Sequence, residues 1–339
     1  LAGWQTIPWQ ILNPYESCTS KKQSGGSIKK TERICIEITE YKRNMKKGIV
    51  IVSFGTTYPG TRRKNIERIT EQVRSIYPDA VIEEAVSSRT VRRIMKEREE
   101  INALDTGEAL EALMKQGVTD AVVFATHMID GIEYHRVAEE AGKYKKDFEV
   151  LKIAKALLTE DKDYCAVAKA FWESVKNEVQ SMPLILMGHG TEHAADASYQ
   201  KMEQALREYS NHAVYIATVE GSVTIDDVIG RMKADKCVES GGEVMVMPFM
   251  LVAGEHANHD MAGEEKSFSS KLKEAGYQPK CMIRGIGEYA AVRDIYMEHL
   301  RRMTKDLFLG SRQEDKTGTL YGIGVGPGNP KLITLDALE

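Results

Sequence analysis

The sequence predicts an α/β protein built from two similar halves, each a parallel sheet flanked by helices. Continuous apolar runs such as residues 48–54 are typical of strands that are covered on both faces. These runs alternate with segments of helical periodicity, and that alternation is typical of right-handed βαβ units. The same order of elements occurs twice, and the 339 residues exceed the ~100–200 of a common domain. Two similar halves are therefore expected.

The N-terminal half is predicted to cover residues 45–175 and to open on the apolar strand 48–54. The patterns that follow predict, in order, a helix near 61–76, a strand near 80–85, helices near 90–100 and 106–116, and a strand at 121–125. Pro78 and Gly117 follow the first and third of these helices, as expected of residues that end helices.

The C-terminal half is predicted to cover residues 176–305 with the same order. Its elements are a strand at 183–187, a helix near 194–209, a strand at 213–218, a helix near 225–233 and a strand at 243–248. Two short matches give weak support to an internal duplication: Gly55-Thr56 matches Gly190-Thr191, and Glu133 matches Glu255. The shared element order carries more weight than these short matches.

Residues 1–44 show no sustained period and contain a polar stretch at 20–27. Such composition favours a disordered segment or an upstream extension. Residues 306–339 are predicted to be a linker followed by a separate Gly-rich segment.

Composition and charge exclude several classes of function. The chain has 46 Lys and Arg against 50 Asp and Glu, a net charge of −4, which argues against a general nucleic-acid or membrane-surface partner. The five cysteines are dispersed without metal-ligand spacing, a usage that suits a reducing compartment. No apolar run of ~18 residues and no signal-peptide pattern occur. The sequence therefore predicts a cytoplasmic protein.

Two histidines follow predicted strands of the second half. Ligands of open α/β sheets bind outside the carboxyl ends of the strands, so residues at those ends are candidates for function. His189 stands between Gly188 and Gly190, which allow the backbone close to a ligand. His256 follows an apolar strand that breaks at Gly254. The alternative for each is a structural or solvated histidine.

Carboxylates occupy comparable positions. Glu220 ends the strand 213–219, and Glu133 follows the last strand of the first half. A lone glutamate in a loop is usually solvated. Two histidines and one or two carboxylates at strand ends, however, would form an open site for a divalent ion such as cobalt, nickel, iron or zinc.

The remaining histidines are given structural roles. His127 and His135 are interpreted as structural or supporting residues, and His193 as support for His189. His212 and His299 fall in polar contexts, so both are expected to be exposed to solvent.

Three arginines are candidates for binding carboxylates of an anionic substrate. Arg62 lies at the start of the first helix, and Arg89 and Arg92 follow the second strand behind a potential N-cap at Ser88. Helix N-termini with arginine are suited to anions. The alternative is that these arginines are simply solvated.

Four strings, in this order, resemble the class II chelatases of the anaerobic pathway that act on sirohydrochlorin, the sirohydrochlorin cobaltochelatases. They are Val52-Ser-Phe-Gly-Thr56, Met187-Gly-His-Gly190, Val219-Glu220 and Met247-Pro-Phe-Met-Leu-Val-Ala-Gly-Glu-His256. The likeness spans residues 46–303. It implies two flavodoxin-like α/β halves related by a pseudo-twofold, with a tetrapyrrole cleft between them. It also implies a metal chelatase of the lyase class, Co²⁺ and sirohydrochlorin as substrates in cobalamin biosynthesis, and no organic cofactor.

The resemblance also implies residue roles. His189 matches the catalytic proton acceptor and metal ligand, His256 the second metal histidine, Glu220 a carboxylate of the metal site, and Glu133 a catalytic cleft glutamate that handles metal. His259 departs from the family pattern and receives no ligand role. A nickel or iron chelatase on the same tetrapyrrole and a non-catalytic metal or tetrapyrrole carrier remain alternatives, and a homo-oligomer is left open.

The segment 318–335 resembles the opening strand and Gly-rich loop of the S-adenosylmethionine-dependent methyltransferases of the corrinoid pathway. The chain stops at Glu339, well short of the ~100 residues that such a domain needs. The resemblance therefore implies a truncated partner without methylating activity.

Overall fold

Within residues 46–305, eight parallel strands form two four-stranded sheets. The computed structural model describes residues 46–305 and residue 307. The first sheet has the order β2-β1-β3-β4 and the second β6-β5-β7-β8. The strands are β1 Lys46–Ser53, β2 Val81–Val86, β3 Val118–Ala125, β4 Val150–Ile153, β5 Leu184–Gly188, β6 Val214–Thr218, β7 Glu243–Pro248 and β8 Gln278–Cys281. The predicted α/β class with two parallel sheets is confirmed.

Helices connect the strands in both halves. Helix α1 starts with Pro59–Arg62, passes through a π-helical stretch Arg63–Glu67 and continues as Arg68–Ile76. The others are α2 Arg89–Glu99, α3 Thr106–Lys115, α4 Ile132–Lys143, α5 Asp161–Val179, α6 Ala197–Ser210, α7 Ile225–Asp235, α8 Phe268–Glu274 and α9 Ala290–Thr304. Within the described residues, no helix is long and apolar enough to cross a membrane.

The predicted segments at the chain ends lie outside the described residues. These are the disordered or upstream extension 1–44 and, apart from Leu307, the linker and methyltransferase-like segment 306–339.

One hydrophobic core is shared by the two sheets. In β1, Ile49 and Ile51 point into this core, whereas the alternate residues Val50 and Val52 pack on the outer face. In β5, Leu184 and Leu186 belong to the same shared core. Because successive side chains of a strand point to opposite faces, each sheet buries one face against its own helices and the other toward its partner sheet.

The last helix of each half reaches into the other half. Helix α5 packs along α6, and α9 packs on α5 and on β3. Tyr296 of α9 is fully buried, donates its hydroxyl to the carbonyl of Thr126 at 3.0 Å, and contacts Phe124 edge-on. Helix α5 also crosses the division that the sequence predicts at 175/176, so the chain changes halves within a helix that contacts both.

The expected exposure of His299 is wrong. Its side chain is 5% exposed, and its Nε2 lies 3.2 Å from Oδ1 of the equally buried Asp163. His299 stands three residues after Tyr296 on the inner face of α9, so helical periodicity buries it. His212 is half-buried rather than solvated: its Nε2 donates to the carbonyl of Met182 at 2.7 Å, and its ring packs on Trp172.

Replacing Tyr296 with Phe should lower the free energy of unfolding by about 1–2 kcal/mol, because the buried carbonyl of Thr126 loses its donor. Urea denaturation followed by circular dichroism would measure the change. Tyr209→Phe is the matched control, since the Tyr209 side chain is 43% exposed and its loss should be nearly neutral. An unchanged urea midpoint for Tyr296→Phe would contradict the assigned role of this hydrogen bond.

Candidate active site at the carboxyl ends of the sheets

A cavity of about 870 Å³ lies where the carboxyl ends of the two sheets meet. Its walls come from the loops after β1 and β3 in the first half and after β5, β6 and β7 in the second. The order of the strands reverses between β1 and β3 in the first sheet and between β5 and β7 in the second, and the loops after these four strands line the cavity. Ligands of such folds usually bind at this point. The volume falls within the ~300–1,000 Å³ of small-molecule sites.

Much of the cavity wall is apolar. Five large hydrophobic side chains are exposed within the described part of the chain, and two of them, Phe54 at 43% and Ile132 at 42%, line this cavity. Met128, Ile129 and Leu251 add to the same wall. Apolar side chains that remain exposed in a concave site favour a ligand with an extended apolar surface.

The structure brings His189 and His256 together on this wall. Their ring centroids are 4.8 Å apart and the ring planes are perpendicular. His189 follows β5 and His256 follows β7, which are neighbouring parallel strands, so both loops leave the sheet on the same side. The side chains are 41% and 35% exposed, respectively, and both can reach a ligand in the cavity.

Glycine is required beside His189. Gly190 has φ +82°, and a Cβ at this position would lie 2.3 Å from the backbone nitrogen of Gly221. The loop after β5 can therefore lie directly against the loop after β6. This close approach brings Glu220 to His189, with 3.8 Å between Oε2 and Nδ1.

Hydrogen bonds assign the same tautomer to both imidazoles. Nδ1 of His189 lies 3.0 Å from the carbonyl oxygen of Gly190, and Nδ1 of His256 lies 2.6 Å from Oδ2 of Asp260. A carbonyl and a carboxylate can only accept, so each Nδ1 carries the hydrogen and donates it. In the neutral ring this leaves the Nε2 lone pair available to bind a metal or a proton.

Four glutamates are among the described residues that line the cavity. Glu220 is 60% exposed beside His189, and Glu133 of α4 is ion-paired with Arg136 one turn further along the helix. Glu192 and Glu255 also line the cavity. This concentration of carboxylates favours cations.

Tyr58 and Glu255 connect the two halves at one side of the cavity. The hydroxyl of Tyr58 donates to Glu255 at 2.6 Å, and this hydrogen bond raises the pKa of Tyr58. Close by, Thr61 donates to the carbonyl of Ala253 at 3.1 Å.

No closed metal centre is present among residues 46–305 and 307: no group of three or more His, Cys, Asp or Glu side chains is arranged to hold an ion. The site instead offers two converging imidazoles and one carboxylate that is not held in place. Such an arrangement leaves coordination positions open, as sites that exchange ligands require.

Two of the arginines predicted to bind substrate are engaged elsewhere. Arg62 forms a bidentate pair with Glu99, which raises the pKa of Arg62 and lowers that of Glu99. Arg92 pairs with Asp105 at 3.1 Å. Neither side chain lines the cavity, and Arg89 is exposed next to the wall residue Thr90. A role for these three in substrate binding stays a prediction.

Arg136 is the arginine that lines the cavity, and sequence reasoning did not select it. It lies three residues after Glu133 on α4, and its side chain is 68% exposed. Residues three apart share a helix face, so the predicted role of Glu133 in the cleft was a signal that could have identified Arg136.

His127 also lines the cavity, at the end of β3. Part of its ring faces the cavity, but its Nδ1 is shielded from solvent and has no hydrogen-bond partner in the described structure. Burial lowers the pKa of His127 to about 4. This imidazole therefore stays neutral at physiological pH and does not repel an incoming cation.

The other two supporting histidines lie on a separate edge of the site. The rings of His135 and His193 are 5.3 Å apart. His193 accepts the backbone N–H of Ala195 at 3.1 Å and so caps the helical turn Ala194–Asp196. His135 pairs with Asp130 at 2.9 Å. Both histidines thus have local structural contacts, and the predicted support of His189 by His193 stays a prediction.

His127 should make folding stability pH-dependent. Its folded pKa of about 4 lies below the ordinary value of 6.5, so the unfolded state binds the proton first. Stability is fully present above pH 6.5 and falls as the pH drops toward 4, by no more than about 3 kcal/mol. Urea midpoints of wild type and His127→Gln between pH 7 and 4.5 would measure this. Parallel curves for the two proteins would contradict the assignment.

The chain is similar to known proteins over most of its length. The family described as cobalt chelatase (CbiK) matches residues 47–305. A sirohydrochlorin cobaltochelatase of Salmonella typhimurium is 30% identical over 259 residues, which are 76% of this chain and 96% of that protein. The sirohydrochlorin cobaltochelatase CbiKC of Nitratidesulfovibrio vulgaris is 29% identical over 266 residues, covering 75% of this chain and 89% of its relative.

A solved structure, SirB from Bacillus subtilis with Fe³⁺, has the same fold. It superposes with a TM-score of 0.57 at 15% identity and covers 78% of this chain and 98% of its own. The family match spans most of the chain, including every loop that lines the cavity. The chain therefore belongs to the cobalt chelatase (CbiK) family.

Proposed function

We propose that this protein inserts Co²⁺ into sirohydrochlorin, with His189 and His256 as the groups that hold the ion and deliver it. The observation that carries the proposal is the pair of imidazoles, 4.8 Å apart, with free Nε2 lone pairs at the wall of a largely apolar cavity. Imidazole is a suitable ligand for cobalt. The relatives named above act on sirohydrochlorin by their names.

The chemistry is an exchange of one divalent ion for two protons. The two inner N–H groups of the macrocycle lose their protons, and four ring nitrogens replace the protein ligands of the metal. No electron is transferred, so the reaction needs no organic cofactor. The protein must hold the ion on one face of the ring and accept protons near neutral pH, for which imidazole is suited.

Each residue of the site has a distinct task in this scheme. His256 and His189 bind the ion through Nε2, and His189 then accepts a pyrrole proton as the ion moves into the ring. Glu220 lies beside His189 and offsets positive charge on the ion and on the protonated ring. The open coordination sphere lets ring nitrogens replace protein ligands one at a time.

Arg136 and Glu133 serve the substrate side of the cavity. Sirohydrochlorin is a polycarboxylate, whereas the cavity wall carries four glutamates and the single arginine Arg136 among its lining residues. A substrate carboxylate that binds Arg136 displaces Glu133 from its ion pair. Glu133 is then free to face the metal or to take up a proton.

The cysteines support a cytoplasmic location for the reaction. The described cysteines, Cys165, Cys237 and Cys281, are free thiols, which fits a reducing compartment such as the cytoplasm. The substrates are a small anionic pigment and a metal ion, and no nucleic-acid or membrane partner is needed.

His189→Ala and His256→Ala should each lower the rate of cobalt insertion by about 100-fold or more, because each removes a ligand or a proton acceptor. The measurement is visible absorbance of sirohydrochlorin with excess Co²⁺ and substoichiometric protein. His212→Asn, at the opposite end of the second sheet, is the control. Wild-type rates in both alanine variants would refute the proposal, and one equivalent bound without turnover would identify a carrier. Parallel runs with Ni²⁺ and Fe²⁺ rank the metals.

Arg136→Gln should raise the KM for sirohydrochlorin about fivefold, because the substrate loses one exposed charge-assisted contact. The KM for Co²⁺ should stay unchanged. Arg89→Gln is a matched control, because Arg89 is also exposed but does not line the cavity. A larger effect of Arg89→Gln than of Arg136→Gln would transfer the anchoring role to the arginine selected from the sequence.

A further inference from the structure

We propose that Asp260 is a positioning residue that makes His256 the firmer of the two metal ligands. The carboxylate accepts the Nδ1 hydrogen of His256 and thereby selects the tautomer of the neutral ring whose Nε2 lone pair is available to a metal ion. The inference deepens the proposed function, on which its catalytic consequence rests. The hydrogen bond itself can be tested without any tetrapyrrole.

The local fold brings Asp260 to His256. The chain after His256 forms a π-helical turn, Ala257–Met261, with His256 at its N-cap. Ala257 and Met261 are completely buried and anchor the turn in the second half. The turn places Oδ2 of Asp260 at 2.6 Å from Nδ1 of His256. Single π-helical turns are a frequent means of placing functional side chains.

The two histidines differ in the group that accepts their Nδ1 hydrogen. His189 donates to the neutral carbonyl of Gly190 at 3.0 Å, whereas His256 donates to a carboxylate at 2.6 Å. Charge-assisted hydrogen bonds are shorter and stronger than neutral ones. A carboxylate behind an imidazole also increases the electron density on the ligating nitrogen.

This difference gives the two histidines different roles in metal transfer. His256, with its orientation fixed and its Nε2 made more electron-rich, retains the ion until ring nitrogens replace it. His189, held by a weaker acceptor beside Glu220, releases the ion earlier and becomes the proton acceptor. If both histidines bound the ion equally strongly, they would compete with the macrocycle for it and slow its transfer.

Asparagine at position 260 tests the tautomer directly. The amide of Asp260→Asn can donate to Nδ1, which would place the ring hydrogen on Nε2 and block the metal position. Nitrogen-15 chemical shifts of the histidine side chains, with His256→Gln for assignment, report the tautomer in the metal-free protein. The expected result is Nδ1–H in wild type and a shift toward Nε2–H in Asp260→Asn. Unchanged shifts for His256 would overturn the inference.

Metal binding provides the second readout. Titration of the protein alone with Co²⁺, followed by the visible d–d absorption, should show affinity that is 10- to 100-fold lower in Asp260→Asn and Asp260→Ala. The KM for Co²⁺ should rise by a similar factor while the KM for sirohydrochlorin is unchanged. Asp260→Glu, which retains a carboxylate, should recover part of the loss. Asp294→Asn, an exposed aspartate that pairs with Gln72, is the control.

The outcomes separate this inference from the proposed function. If wild type turns over sirohydrochlorin but the Asp260 variants bind Co²⁺ with unchanged affinity and spectrum, the positioning role is wrong and the proposed function stands. If the variants lose Co²⁺ binding as expected but wild type shows no turnover, the positioning role stands and the proposed function fails. A lower urea midpoint with unchanged Co²⁺ affinity would show a structural role only and overturn the inference.

Discussion

The shared core between the two parallel sheets is the constraint on which the site depends. Ile49 and Ile51 of one half and Leu184 and Leu186 of the other lie in the same buried cluster, so the sheets cannot separate without exposing it. The carboxyl ends of both sheets consequently border one cavity. The crossing of α5 and α9 strengthens this arrangement, since each half is completed by a helix from the other.

The cavity combines an apolar wall with a small number of polar groups. Exposed Phe54 and Ile132 offer surface to a flat macrocycle, while His189, His256 and Glu220 gather at one side. The chemistry requires little beyond ligand exchange and two proton transfers. The protein accordingly contributes position and charge: two imidazoles whose Nδ1 hydrogens have fixed acceptors, and exposed carboxylates beside them.

The sequence alone supported the fold class, the strand-end position of both histidines and the repeated element order. Strong apolar runs identified β1, β3, β5 and β7, because buried parallel strands have a distinctive pattern. The edge strands β4 and β8 were not identified, because β4 is half-buried and β8 is mostly exposed, and neither has that pattern. His299 was misassigned for a related reason: a polar residue on an amphipathic helix can face inward when a buried partner, here Asp163, is available.

The sequence by itself determined which chemical groups are available: two histidines after neighbouring strands, glycines that permit a tight turn beside one of them, and several carboxylates. Only the tertiary structure decided which groups meet. It engaged Arg62 and Arg92 in ion pairs away from the cavity, put Arg136 on the wall, and set Asp260 behind His256. The pairs of Arg62 with Glu99 and of Arg92 with Asp105 join segments that are apart in the sequence, and periodicity carries no information about such contacts. Arg136 and Asp260 lie at helical spacing from Glu133 and His256, but only the packing of these elements decides that they lie at the cavity.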